Sequence, residues 1–336
     1  MREAIATVVE GGDLLPAQME TAMAAMLSGE ATAAQVAALL IALRMKGETA
    51  EELATAATVM RRHAVPVEVD ADGPVLDTCG TGGDGSGSFN ISTVSAIVLA
   101  ACGVKVAKHG NRAASSKCGS ADVLEALGVS LEMPPSDIGR CISEVGIGFM
   151  FARAHHPAMK HVGPVRAELA VRTMFNLLGP ITNPADASHR LLGVGDESKL
   201  GLMAGALKGA GVEAAWVVHG HGGLDEVALS GPTRVVTLAR GEIGNMEVTP
   251  EDFGVEVAPQ EALAGGDASE NAAIARSILA GDTGPRRDAV LINAGAALCV
   301  AGVASSPREG AERAASAIDS GGAADKLAAW AGFLDS

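Results

Sequence analysis

Asp225 and Glu226 stand side by side after the turn His219-Gly220-His221-Gly222-Gly223-Leu224, which follows the strand-like run Ala215-Trp216-Val217-Val218. Adjacent carboxylates at a strand end suit Mg2+, which takes few carboxylates and fills its shell with water and substrate phosphates. By themselves they read equally as an acidic turn. His219 and His221 are zinc-ligand types, but no third Cys or His nearby completes a set. A second cluster runs Lys108-His109-Gly110-Asn111-Arg112-Ala113-Ala114-Ser115-Ser116-Lys117-Cys118-Gly119-Ser120. Its cations supply charge, and its hydroxyls with the Gly119 N–H supply oriented donors for phosphate oxygens. The plainer alternative is a solvated loop.

The third stretch is LDTCGTGGDGSGSFNIST, Leu76 to Thr93. Gly80, Gly82, Gly83, Gly85 and Gly87 fall between an apolar strand-like run and an apolar helix-like segment, Val94 to Cys102. Glycines there let the backbone approach an anion, with the helix N–H groups and dipole facing it. Asp84 fits poorly beside a bare phosphate but well beside a ribose hydroxyl or a metal-bound water. An ordinary flexible strand-to-helix turn is the bland reading. No Lys-Ser/Thr pair follows the last glycine, so this is not a P-loop, and the GxG at Gly80 is a weak dinucleotide fingerprint. The implied ligand is a phosphorylated sugar.

Arg166 and Arg172 lie in GPVRAELAVR, Gly163 to Arg172. An arginine fork grips a carboxylate or phosphate with two hydrogen bonds, although a lone helical Arg is more often a surface ion-pair partner. The Pro-punctuated turn Phe175 to Pro184 suits a pocket wall.

Alternating strand and helix signals must position these groups. Residues 1 to about 65 read as helices: one opened by Pro16, one by Thr32, and one by the capping pattern Thr49-Ala50-Glu51-Glu52. Val75-Leu76, Val104 to Ala107, Gly148 to Phe151, Leu191 to Val194 and Ala215 to Val218 read as strands separated by helices. That pattern predicts a mainly parallel sheet with helices on both faces, in an α/β chain with a small helical N-terminal module. The boundary falls near Pro66 to Asp72, giving domains 1–70 and 71–336. The tail beyond Ala264 carries helix signals and one apolar run, Ala289 to Ile292.

Composition narrows the function. The 336 residues carry a formal charge of −15, which argues against a nucleic-acid surface. Aromatics are 2% with no Tyr, so stacking on bases is excluded as a main activity. Five cysteines without CxxC spacing fit reduced thiols and a cytoplasmic setting. No signal peptide or membrane-length apolar run is present, which points away from a membrane.

Six motifs in order resemble the anthranilate phosphoribosyltransferase family: GTGGD from Gly80, FNIST from Phe89, KHGNR from Lys108, SSKCGSADVLEALG from Ser115, RTMFNLLGPITNP from Arg172 and GLDE from Gly223. The departures are small: Cys79, Ser88, Ala113-Ala114 and Cys118 differ from commoner choices, Gly222 stands where Asp is common, and all spare the charged ligand positions. The resemblance implies a homodimer, with the helical domain completed by helices from about 160–190 and an active site in the cleft between domains. It implies transfer of phosphoribose from 5-phosphoribosyl-1-pyrophosphate to the amine of anthranilate, with Mg2+, as a step of tryptophan biosynthesis. By resemblance the donor is held by Gly80, Gly83, Asp84, Ser88, Asn90, Ile91, Ser92, Thr93, the run Lys108, His109, Gly110, Asn111, Arg112, Ala113, Ala114, Ser115, Ser116, and Ser120. Gly80, His109, Asn111 and Arg166 would hold anthranilate, Arg166 through its carboxylate. Ser92, Asp225 and Glu226 would bind the metal, and Lys108 and Asp84 would be catalytic. An amine nucleophile and a pyrophosphate leaving group need positioning and charge neutralisation, with no covalent nucleophile. The competing readings are a pyrimidine-nucleoside phosphorylase and a non-catalytic, nucleic-acid-binding relative.

Overall fold

The structure is a computed structural model describing residues 1–113 and 117–335. Four helices open the chain: Arg2–Val9, Pro16–Ser28, Ala33–Lys46 and Ala50–Arg62. Three start where the sequence predicts, at Pro16, after Thr32 and after Thr49. Thr32 and Gln35 cap reciprocally, as do Thr49 and Glu52, each pair satisfying two N–H groups that a helix start leaves open. Glu52 is buried, and its carboxylate also takes the Lys46 ammonium at 3.0 Å and the Leu14 N–H at 2.9 Å. Leu39, Leu40, Leu43 and Leu53 are fully buried, each contributing roughly 1.5–3 kcal/mol of burial free energy.

The rest is built on seven strands: β1 Val75–Gly80, β2 Lys105–Gly110, β3 Ile147–Phe151, β4 His189–Gly193, β5 Ala214–Gly220, β6 Thr233–Ala239 and β7 Glu242–Val248. Their order is β3-β2-β1-β4-β5-β6-β7. The strands from β3 across to β5 pair in parallel, and β6 and β7 add antiparallel. The two antiparallel strands are not legible as strands in the sequence. Their hairpin turns on Arg240 and Gly241, both with positive φ, the two-residue geometry that matches strand twist. Glu242 and Glu247 lie on β7 at the sheet edge, where charge discourages further pairing.

The sheet divides two cores. One face carries the helices Ile91–Ala101, Ala268–Leu279, Pro285–Val300, Pro307–Asp319 and Gly322–Ala331. Ala289 to Ile292 lies within the helix Pro285–Val300; it is apolar because that helix is covered by the sheet on one side and by neighbouring helices on the other. The opposite face carries the helix Leu200–Gly209 and the N-terminal bundle, in one apolar cluster that also includes Val162, Val165, Met174, Phe175, Leu178 and Ile181. The extended link between bundle and β1 is pinned by Val65 N–H to His155 O, 2.8 Å, and Val67 N–H to Pro184 O, 3.0 Å. Among the described residues no helix is long and apolar enough to cross a membrane.

β1, β2, β4 and β5 all end in glycine. At Gly193 and Gly220 an added Cβ would strike the main chain of Asp225 and Glu226 respectively. Those glycines let the Asp225-Glu226 segment lie directly across the carboxyl ends of the strands, where ligands bind in open α/β sheets.

Candidate active site

Sequence reasoning puts Lys108 and His109 at the end of a strand. The structure keeps both within β2, which extends to Gly110, so alternation sends their side chains to opposite faces. The buried Lys108 ammonium donates to Thr78 O at 2.6 Å and to Ser92 Oγ at 3.4 Å. No carboxylate pairs with it among the described residues. Burial draws its pKa down, while Asp77, Cys79 and Glu226 pull it back up. A buried cation held only by neutral oxygens is a strong attractor for an anion in the adjoining space.

His109 is fixed from two sides. Its N–H donates to buried Asp77 at 3.1 Å, and its Nδ1 faces Gly179 O at 3.2 Å. A carbonyl partner makes Nδ1 the protonated nitrogen, leaving Nε2, which has no hydrogen-bond partner, as an acceptor. Its ring lies 5.1 Å from that of His156. Burial pushes both imidazoles down to about 3, so both are neutral at pH 7. Between their usual 6.5 and about 3 the unfolded chain binds protons that the folded chain does not. Their contribution is therefore complete above pH 6.5 and is lost as pH falls. Each steepens the loss by up to about 1.4 kcal/mol per pH unit. His156→Gln is expected to shrink the drop in urea-unfolding free energy between pH 7 and pH 5; an undiminished drop would contradict neutral burial.

The glycine loop follows β1. Gly82 N–H donates to Asp225 Oδ2 at 2.7 Å, and Ser86 N–H to Asp84 Oδ1 at 3.2 Å. The helix Ile91–Ala101 begins three residues before the predicted Val94, so Ser92 and Thr93 sit in its first turn. Ser92 N–H donates to Glu226 Oε1 at 3.1 Å. Asn90 ties this loop to the second cluster through Cys118 O, 3.3 Å, and accepts from Asn271 at 2.9 Å.

Three carboxyls thus gather behind the loop. Burial, and then the Asp84 charge, pushes Asp225 up. Burial and the Asp225 charge push Glu226 up, with Lys108 pulling the other way. Asp84 Oδ2 is buried and takes no hydrogen bond from a donor group. Such a set carries more negative than positive charge and would accept a cation. Among the described residues no three His, Cys, Asp or Glu side chains converge on one point. A cation held here would rest on one or two carboxylates, with water and phosphate completing its shell, as Mg2+ allows.

A cavity of about 930 Å3 opens in front of the loop. Gly80, Gly83, Asn90, Ser92, Thr93, Lys108, His109, Gly110, Asn111, Arg112, Ala113 and Ser120 line it, together with Arg166 and Ala167. Arg166 stands over the Phe175 ring at 5.5 Å, and burial draws its guanidinium pKa down. Not every expected residue faces this space. Asp84 and Ser88 line a neighbouring cavity of about 430 Å3. Ile91 points into the core, and Asp225 and Glu226 lie beneath the loop. Arg112 borders the cavity but donates to Asp122 at 2.8 Å and Glu125 at 3.0 Å. Ala114, Ser115 and Ser116 fall outside the described residues.

Arg172, weighed on sequence as a ligand fork or surface ion pair, borders the cavity with its guanidinium turned to backbone carbonyls. Its guanidinium donates to Gly82 O at 2.8 Å and Thr81 O at 3.0 Å. Asp77, Asn183 and Asn271 escape sequence reasoning. Asn183 donates to Asp77 at 2.8 Å and Asn271 accepts from Gly266 N–H at 2.8 Å. A lone Asp inside the apolar β1 run is the one available signal; the Asn183–Asp77 and Asn271–Asn90 contacts span too much chain to be read locally.

Known proteins resemble the chain along nearly its whole length. Residues 2–64 match the helical bundle domain of a glycosyl transferase family, and residues 72–324 match its a/b domain. The anthranilate phosphoribosyltransferase of Rhodopseudomonas palustris is 52% identical over 323 residues, 96% of this chain and 95% of that protein. That of Roseiflexus sp. is 53% identical over 329 residues, 97% of this chain and 96% of that protein. The crystal structure of anthranilate phosphoribosyltransferase from Thermus thermophilus superposes with a TM-score of 0.94 at 48% identity, covering 99% of both chains. The Saccharomyces cerevisiae enzyme in complex with PRPP and Mg superposes at 0.87 with 29% identity, covering 96% of this chain and 94% of that one.

Proposed function

Since this chain belongs to the anthranilate phosphoribosyltransferase family and moves phosphoribose from 5-phosphoribosyl-1-pyrophosphate to the amine of anthranilate, we propose that the cavity of about 930 Å3 holds both substrates. The observation that carries this reading is the Lys108 ammonium, buried without a carboxylate partner among the described residues and lining the cavity together with Arg166. The donor's phosphates lie against Lys108, the glycine-loop N–H groups and the hydroxyls of Ser92, Thr93 and Ser120, with Asp84 serving the ribose or metal-bound water. The resemblance assigns Ser115 and Ser116 to the same grip. Anthranilate sits beside Gly80, His109 and Asn111, its carboxylate on Arg166, whose planar fork suits it.

The chemistry asks the protein to align an amine with the anomeric carbon and to stabilise departing pyrophosphate. Lys108 holds positive charge where that negative charge develops. Neutral His109 accepts a hydrogen bond without adding a cation that would compete for the carboxylate. Ser92, Asp225 and Glu226 would hold Mg2+, with Asp84 close by, and the ion would neutralise and template pyrophosphate. The yeast structure described with PRPP and Mg supports that reading.

The working form is a homodimer in the cytoplasm, with a helical domain of residues 1–70 completed by the 160–190 segment. The exposed Val9, Leu15 and Met45 of the bundle region supply apolar surface for a second copy, and the −15 charge speaks against nucleic acid. No observation favours the nucleoside phosphorylase reading. Incubation with donor, anthranilate and Mg2+ tests the function: anthranilate fluorescence falls only when all three are present, and no loss would overturn it. Arg166→Ala is expected to raise the anthranilate KM about 10–100-fold, as loss of a charge-assisted bidentate contact implies, with the donor KM little changed. Equal changes in both would remove Arg166 from the acceptor site.

A further inference from the structure

Arg172 stands in the wall between the main cavity and a second one of about 420 Å3 that Arg44 and Lys199 also line. Its side chain and its main chain face opposite ways. The guanidinium donates to Thr81 O and Gly82 O, while its own carbonyl accepts from the Arg44 guanidinium of the helix Ala33–Lys46. Gly82 is therefore gripped twice: its N–H by Asp225, at 2.7 Å, and its carbonyl by Arg172, at 2.8 Å. An added Cβ on Gly83, whose φ is +74°, would collide with Arg172 Nη1. The same segment ends the acceptor-side helix: Gly163–Leu169, which carries Arg166, stops at Ala170, held left-handed at φ 50°. A non-glycine residue in that region costs energy and persists where its surroundings enforce it.

We propose that Arg172 is a positioning residue for the donor, setting the Thr81–Gly82 turn against the helical bundle so that the glycine-loop N–H groups face the phosphates. Two carbonyls approached by one guanidinium fix both the height and the tilt of the turn. An ammonium, lacking the planar fork, fixes only one of them. Because Arg44 holds the Arg172 main chain, the bundle anchors a loop of the α/β part without touching a substrate.

The inference rests on the proposed donor site, so its test has one arm that does not. Hydrogen exchange of the amides of residues 81–87 is compared in the wild type, Arg172→Lys, Arg172→Ala and Arg44→Ala, with thermal unfolding as a control for folding. Exchange is expected to quicken in the order Lys, then Ala, with Arg44→Ala between wild type and Arg172→Ala. The donor KM is expected to rise about tenfold in Arg172→Ala and about threefold in Arg172→Lys, the scale of losing two and one charge-assisted hydrogen bonds partly replaced by water. The anthranilate KM stays within about twofold, a split that general damage to the fold would not give. Unchanged exchange would overturn the clamp. Faster exchange with an unchanged donor KM, or equal changes in both KM values, would overturn the positioning role. If the wild type itself fails to use the donor, the exchange arm still decides the clamp, and the failure falls on the donor-site assignment.

Discussion

Asp225→Asn combined with Glu226→Gln is expected to lower kcat/KM by at least about a thousandfold at millimolar Mg2+, the scale of losing a metal-assisted charge clamp. The two residues are half-buried, and desolvation, with the Asp225 charge second, pushes the Glu226 pKa upward. Such a pair is costly to ionise without a cation, and an amide pair of the same shape removes that cost. The hydrogen bonds they accept, from Gly82 N–H and Ser92 N–H, can be accepted by an amide oxygen as well. The variant is therefore expected to fold at least as stably as the wild type while losing turnover. Thermal unfolding without metal, alongside kinetics across a Mg2+ series, measures both. Activity near wild type would refute the metal assignment, and a large drop in stability would show that the pair holds the fold.

Lys108→Met carries the second large effect. Methionine fills a similar volume without the charge, so two stability terms oppose each other. Thr78 O loses its short donor, costing about 1–3 kcal/mol, while removal of a buried unpaired ammonium returns a comparable amount. Net stability is expected to stay within about 2 kcal/mol of wild type. Activity has no such offset, because the charge facing the departing pyrophosphate disappears. A fall in kcat of about 10²–10³-fold is expected, the size seen when one preorganised electrostatic contact is removed. Stopped-flow or steady-state kinetics with a parallel unfolding curve separates the two. A variant that keeps more than a tenth of wild-type kcat would take Lys108 out of the charge-stabilising role.

The sequence is most readable where local physics decides structure. The Thr32 and Thr49 caps and the alternation of strand and helix from β1 through β5 depend on neighbouring residues, and the fold follows them. β6 and β7 escape because their partly polar composition follows from exposure near the sheet edge, and their turn signal is a single Arg-Gly pair. Ala289 to Ile292 reads only as an apolar run because burial on every side removes helical periodicity. Within the site, residue types expose the cationic run, the glycine loop and the Asp225-Glu226 pair. What stays hidden are the contacts between remote segments: Arg172 to Gly82, Asn90 to Cys118, Asn183 to Asp77. Arg172 shows why. An arginine spent on backbone carbonyls is indistinguishable in sequence from one that waits for a phosphate, and only the path of the chain tells them apart.

The most direct measurement is a crystal structure of the protein with 5-phosphoribosyl-1-pyrophosphate, Mg2+ and an unreactive anthranilate analogue. The expected result puts the pyrophosphate between Lys108 and the glycine loop, the ion on Asp225 and Glu226, and the analogue's carboxylate on Arg166. Donor density in the smaller cavity beside Arg44 and Lys199, with Lys108 untouched, would contradict it.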